Sequence, residues 1–196
     1  TLLPGMTKIF QKDYPSVTIL FSPEFLSEVT AAQDAAKPFS NIVGMPLDNE
    51  TYHKAAEMVH TVLPKAPFTL TCDSDEAEII KYSHNIAGYT QVITYNIMYE
   101  MAQSLGHEWD TIKTALAVDP YINKHYINPL HKSGRGAGGH CFIKDFAAFT
   151  NLYEKQVNDE AGMNALRAFE KKNIQLLKNS NKDIDLLKEV YGKDAI

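Results

Sequence analysis

Residues 73–105 read DSDEAEIIKYSHNIAGYTQVITYNIMYEMAQSL, a run with no proline whose start and stop are both marked. Asp73 or Ser74 can cap a helix, and Glu76 stands three residues after Asp73, the spacing of a capping box. Gly106 follows as a residue able to take the left-handed conformation in which helices commonly end. The run predicts one helix of about thirty residues, roughly 45 Å long at 1.5 Å per residue. A helix of this length spans a domain or packs against a second subunit. Its apolar residues Ile79, Ile80, Val92, Ile93, Ile97, Met98 and Met101 exceed what one covering layer needs, so an isologous homodimer built on this helix is expected.

Before this helix the texture is α/β. Val17–Phe21, Asn41–Met45 and Phe68–Cys72 read as short strands. Residues 48–63 place Tyr52, Ala55, Ala56, Val59 and Leu63 at helical spacing. The stretch is too short for a complete doubly wound sheet. After it, a shorter helix is expected from Trp109 to Val118, then an irregular segment over 119–139 rich in Pro, Gly, Asn and His. Helices over 144–156 and 158–178 follow, and a short amphipathic one from Asp183 to Tyr191.

The bulk properties bound the function. The chain has 196 residues, 44% of them hydrophobic and 22% charged, an ordinary globular composition. Its formal net charge of -5 argues against a nucleic-acid binder, which needs a basic face. No apolar run approaches the roughly 20 residues of a membrane helix. The opening residues carry neither an initiator Met nor a basic leader region, so the sequence is expected to begin inside a longer protein. Cys72 and Cys141 lie far apart and make no disulfide framework, which suits a reducing, cytoplasmic setting. The histidines show no metal-ligand spacing, and no metal is expected.

The chemistry concentrates in Gly134-Arg135-Gly136-Ala137-Gly138-Gly139-His140-Cys141-Phe142-Ile143-Lys144-Asp145. Gly134, Gly136 and Gly139 satisfy G-x-G-x-x-G, but the residues before them, Asn128 to Ser133, do not read as the buried strand that a dinucleotide fingerprint requires. The alternatives are a flexible loop or one whose bare backbone approaches a ligand. Cys141 stands at the loop's end, just before the expected helix, where a thiol becomes more nucleophilic. Lys144 favours a thiolate; Asp145 opposes one unless it has another task.

This stretch resembles the signature of the UDP-glucose/GDP-mannose dehydrogenase family: a glycine-rich loop, Cys, two residues, then Lys-Asp. Three further segments resemble that family in the same order. Thr1-Leu2-Leu3-Pro4-Gly5 is similar to its Ser-Thr-Val-x-Pro-Gly, entered at the Thr. Pro23-Glu24-Phe25-Leu26-Ser27-Glu28 is similar to Pro-Glu-Phe-Leu-Arg-Glu, with Ala31 and Asp34 at the family's offsets. Lys81-Tyr82-Ser83-His84-Asn85 is similar to Lys-x-x-x-Asn on the central helix. Ser27, Val29 and Ile143 depart from the usual Arg, Gly and Pro, Ile97 from Glu, and Ser40 from a common Arg. The resemblance spans residues 1 to about 178.

It implies a fold: an α/β tail of a Rossmann-like NAD domain over 1–72, an all-α central dimerisation domain with a long central helix over 73–179, and a helical tail over 180–196. It also implies an activity, the NAD-dependent oxidation of a nucleotide sugar's C6 alcohol to a uronic acid, of the kind used in polysaccharide biosynthesis. Cys141 would carry the thiohemiacetal and thioester. Lys81 and Asn85, four apart and so on one helix face, would donate to the C6 oxygen. Glu28, Asp145 and, from farther out, Glu24 would handle the hydrolytic water. Thr1, Glu28 and Lys144 are implied on the cofactor side. Phe25, Leu26, Gly136, Gly138 and Gly139 are implied at the sugar, with Gly88 leaving room beside a ligand. His140 resembles the Gly-His-Cys of N-acetylhexosamine-type members, so the sugar stays open. The competing expectation is an inactive, truncated dimerisation or binding module, and the chain alone is expected not to turn over.

Overall fold

The computed structural model describes residues 1–27 and 29–192. Glu28, and the tail expected beyond Gly192, lie outside the described residues. The chain forms two compact units, one from Thr1 to His84 and one beginning at Asn85, and the helix α4 (Ser74–Ser104) runs through the division.

In the first unit, β1 (Ser40–Met45) and β2 (Phe68–Asp73) pair in parallel, from Ser40 opposite Phe68 to Met45 opposite Asp73. The helix α3 (Glu50–Val62) makes the crossover that parallel strands require. Asn49 caps α3, its side-chain oxygen accepting from the Thr51 and Tyr52 amides. Val43 and Met45 pack on Tyr52 and Ala56 to form the core, with Leu20 and Val59 at its edge. Gly44 lets β1 lie against the start of α4: a Cβ there would stand 2.7 Å from the Ala77 Cβ.

The strand expected at Val17–Phe21 does not form. Only Phe21 bridges to the sheet, its N–H donating to the Gly44 oxygen at 3.0 Å and its oxygen accepting from the Gly44 N–H at 2.7 Å. Upstream, the side chain of Gln11 replaces a ladder. It accepts from the Ile19 N–H at 2.8 Å and donates to the Val17 oxygen at 2.8 Å. Gln11 belongs to α1 (Met6–Asp13), which the sequence reading lacked, as it lacked α2 (Ala31–Ala36). Glu78 of α4, wholly buried, holds the entry to α1. It accepts from the Gly5 N–H at 2.6 Å, the Thr7 N–H at 2.9 Å and the Thr7 hydroxyl at 2.6 Å. A carboxylate at a helix N-terminus is favoured by both the unpaired N–H groups and the helix dipole.

The expected long helix is present as α4. One half of its capping box forms, the Asp73 N–H donating to the Glu76 carboxylate at 3.1 Å, while the Asp73 carboxylate accepts from the Asp75 N–H at 2.8 Å; Gly106 ends it at φ +75°. The second unit adds α5 (Trp109–Leu116), a 3-10 turn (Lys124–Tyr126), and a hairpin of β3 (Leu130–His131) and β4 (Gly134–Arg135). Then come α6 (Gly139–Gln156), α7 (Glu160–Asn179) and α8 (Ile184–Tyr191). The turn and hairpin occupy the segment 119–139, expected to be irregular. The core joins Tyr89 and Ile93 of α4 to Ala137 and to Phe146 of α6, the Tyr89 and Phe146 rings stacked at 3.8 Å. A second cluster, Ile143, Leu177 and Leu187, ties α6, α7 and α8 together. On α4, Ile93 is fully buried, whereas Ile97, Met98 and Met101 are 49%, 49% and 61% exposed. Among the described residues, no helix is long and apolar enough to cross a membrane, and no cluster of metal-binding side chains occurs.

Candidate active site

The helix α6 begins at Gly139 and not near residue 144, so Cys141 lies in its first turn instead of ahead of it. The early start is supported from a distant part of the chain. Gly139 takes φ +80°, and its N–H donates to the Asp183 carboxylate at 2.8 Å, satisfying a donor that the helix itself leaves open. Cys141 is exposed and carries a free thiol, while Cys72 is half-buried and burial pushes its thiol up.

One turn along α6, Asp145 is 1% exposed. One of its carboxylate oxygens accepts from the Asn85 amide at 2.6 Å, and the other pairs with the Lys144 ammonium. The acid expected to oppose a thiolate is therefore already engaged by an amide and a cation. Asn85 is itself buried, and it retains a second amide hydrogen.

Gly88, one turn beyond Asn85, does not leave room for a ligand. A Cβ there would stand 2.9 Å from both the Phe142 ring and the Tyr126 hydroxyl, so protein side chains take up the space. The loop glycines likewise face protein. A Cβ on Gly134 or Gly138 would overlap Ser180 or Asp183, and one on Gly136, at φ +93°, would meet Asn173 at 3.0 Å.

In the first unit Lys81, 5% exposed, donates to the backbone oxygen of Glu24 and lies 3.6 Å from the Glu24 carboxylate. Its ammonium sits over the Phe25 ring, 5.3 Å from the centroid. Phe25 meets the rings of His84 at 5.0 Å and Phe39 at 5.4 Å. Burial, and then the Lys81 charge, hold the His84 imidazole below its usual range against the opposing pull of Glu24. Glu24 accepts from the Leu26 N–H at 2.8 Å, and Asp34 accepts from the Ser27 N–H at 3.0 Å, which fixes the Pro23–Ser27 segment from both ends. Thr1 lies in the exposed coil before Gly5.

The structure thus joins Lys81 with Glu24 and Phe25 in one unit, and Asn85 with Asp145, Lys144 and the helix of Cys141 in the other. Lys81 and Asn85 are one turn apart on α4. Glu78, Asn173, Lys182 and Asp183, which hold these segments, went unseen in the sequence. Their partners lie 36 to 73 residues away, so no local spacing signals them.

A family model for the UDP-glucose/GDP-mannose dehydrogenase family, central domain, matches residues 75–175. A UDP-glucose 6-dehydrogenase of Rickettsia conorii is 28% identical over 160 residues, which are 82% of this chain and 35% of that protein. One from Streptococcus pneumoniae is 31% identical over 74% of this chain and 37% of its own length. The chain therefore spans about a third of the curated relatives it matches. Among solved structures, a UDP-glucose dehydrogenase from Pyrobaculum islandicum superposes with TM-score 0.74 at 27% identity, covering 98% of this chain and 43% of that one. A UDP-D-ManNAc dehydrogenase from Pyrococcus horikoshii, 19% identical with TM-score 0.68 over 93% of this chain and 44% of its own, shares the fold. The chain belongs to the UDP-glucose/GDP-mannose dehydrogenase family, and its match lies in the central domain.

Proposed function

We propose that this chain carries the covalent chemistry of an NAD-dependent nucleotide-sugar 6-dehydrogenase, with Cys141 as nucleophile. The observation that carries the reading is the pairing of Cys141, exposed in the first turn of α6, with a buried Asp145–Asn85 contact one turn further on.

NAD supplies the acceptor for the two hydrides that leave C6. Its pyrophosphate does not fit the glycine loop, because the Arg135, Ala137 and Gly139 amides already donate to Ser180, Asn173 and Asp183. Thr1 and Lys144 are assigned toward the cofactor on the family resemblance.

The Cys141 thiolate adds to the C6 aldehyde and its oxygen takes a proton, giving a thiohemiacetal. Loss of the second hydride and of that proton leaves a thioester. Water then adds and the thiolate departs, so alcohol, water and two oxidised cofactors yield acid, two reduced cofactors and protons. Lys81 and Asn85 donate to the oxygen as charge develops on it, a contact stronger in the transition state than in the ground state. Glu28 and Asp145 orient the hydrolytic water, with Glu24 behind them, and Phe25 and Leu26 offer backbone groups to the sugar. The exposed Ile97, Met98 and Met101 of α4 support a homodimer along that helix. Sedimentation that shows only monomer at about 50 µM counts against an interface of standard size.

The test is a chimera in which this chain replaces the matching third of a curated relative. NADH absorbance is followed with UDP-glucose, UDP-N-acetylhexosamines and GDP-mannose. Turnover that Cys141→Ser abolishes is the expected result. A fully active Cys141→Ser chimera refutes the mechanism, and a folded but inactive wild-type chimera favours a binding or dimerisation module.

A further inference from the structure

The segment that leads into Cys141 is gripped, one backbone group at a time, by side chains from α7 and the α7–α8 turn. The Arg135 N–H donates to the Ser180 hydroxyl at 2.9 Å, and the Gly136 oxygen accepts from the Lys182 ammonium at 2.9 Å. Both backbone groups of Ala137 pair with the Asn173 amide, at 2.7 Å and 2.9 Å. The Gly139 N–H donates to Asp183 at 2.8 Å. Apolar contacts of Ile143, Leu177 and Leu187 already dock α6, α7 and α8, so the polar contacts are not needed merely to attach the elements.

Two features show how specific the grip is. Asn181 and Asp183 both adopt the left-handed conformation, at φ +51° and +53°, an uncommon backbone for residues with a Cβ. Between them Lys182 is drawn inside, 5% exposed, where burial of an ammonium is costly without a partner. Gly134 and Gly138 then make sense as residues whose missing Cβ admits Ser180, Lys182 and Asp183. An adduct on Cys141 requires its thiol to be held within a few tenths of an ångström of the productive position, which a glycine-rich backbone does not do unaided.

We propose that Lys182 and Asp183, with Asn173 beside them, are positioning residues that set the glycine loop and so aim the Cys141 thiol. The proposal rests on the role proposed above for Cys141.

The test uses the whole chain. Iodoacetamide labelling is followed at Cys141, with Cys72 as the internal reference, and amide exchange at Ala137 and Gly139. In Lys182→Met and Asp183→Ala the Cys141 rate is expected to change by about tenfold with the Cys72 rate unaltered, because the loop no longer has one position. Asp183→Asn keeps an oxygen for the Gly139 N–H and is expected to stay within about twofold of wild type. If Lys182→Met does not fold, the Asp183 pair decides. An unchanged Cys141 rate in Asp183→Ala, or equal damage in Asp183→Asn, overturns the proposal. In the chimera, Asp183→Ala should lower kcat about tenfold with KM for the nucleotide sugar within about twofold, and Asp183→Asn should rescue it. A kcat that does not move, or that falls equally in both variants, overturns it too. An inactive wild-type chimera removes the catalytic reading alone, and labelling still decides whether the clamp aims the thiol.

Discussion

Glu78 is the place where a single atom exchange should be felt most clearly in the first unit. Its two carboxylate oxygens serve three donors at the start of α1: Oε1 takes both the N–H and the hydroxyl of Thr7, and Oε2 takes the Gly5 N–H. In Glu78→Gln the amide oxygen can keep the Thr7 pair, but the NH2 group then faces the Gly5 N–H, donor against donor. One charge-assisted bond is lost, worth about 1.5–3 kcal/mol, together with about 0.5–1 kcal/mol of helix-dipole interaction. A loss of roughly 2–4 kcal/mol follows, and Tm should drop by roughly 4–16 °C at the sensitivity of a chain of this size. Glu78→Ala removes all three acceptor contacts and leaves the buried Thr7 N–H unmet, so its loss should be the larger. Circular dichroism melts give the total, and amide exchange at Gly5 and Thr7 localises it. A Glu78→Gln protein that melts within about a degree of wild type, with no faster exchange at Gly5, would refute the argument that this carboxylate organises the entry to α1.

Gly88→Ala should destabilise by about 1–2 kcal/mol despite the better helix propensity of alanine, because its Cβ meets Phe142 and Tyr126 at 2.9 Å; thermal melts check this. Burial holds the Glu170 carboxyl above the usual carboxylate range, against the opposing pulls of the Tyr191 hydroxyl and Arg167. Its folded pKa thus exceeds the unfolded value of about 4.3, so its contribution to stability is complete below that pH and lost as pH rises through the raised value. Glu170→Gln should flatten that fall in a Tm-versus-pH series, and an unchanged slope would count against it. Lys81→Ala in the chimera should lower kcat more than it raises KM for the sugar, as steady-state kinetics would show. The chain by itself should give no NADH from any of the nucleotide sugars, read at the NADH absorbance band. Robust turnover would refute this expectation.

What was legible in the sequence is what local chemistry determines. The Asp73–Glu76 contact, the stop at Gly106 and the alternation of β1, α3 and β2 depend on neighbours within a few residues, and each formed where the pattern put it. The strand expected at Val17–Phe21 failed because Gln11, a polar residue on an unforeseen helix, supplies the hydrogen bonds a ladder would have used. The hairpin at Leu130–Arg135 has only two residues per strand, too few for any alternation to show. The site followed the same division. Cys141 stood out by its own surroundings, but the contact between Asn85 and Asp145 bridges 60 residues, and no local pattern announces it.

The glycine loop shows why spacing alone misleads. G-x-G-x-x-G marks places where a side chain is not tolerated, and it does not say what fills the freed space. In a dinucleotide fold a pyrophosphate comes close to the bare backbone. Here Ser180, Asn173 and Asp183 stand in that place, and the amides that would greet a phosphate already donate to them. The loop is therefore held by protein side chains on its approach to Cys141. Asp145 fits the same logic: both of its oxygens are engaged, by the Asn85 amide and the Lys144 ammonium, so its charge is compensated inside the protein. Asp145 is thus held as part of the packing of α6 on α4, one turn along α6 from the exposed Cys141.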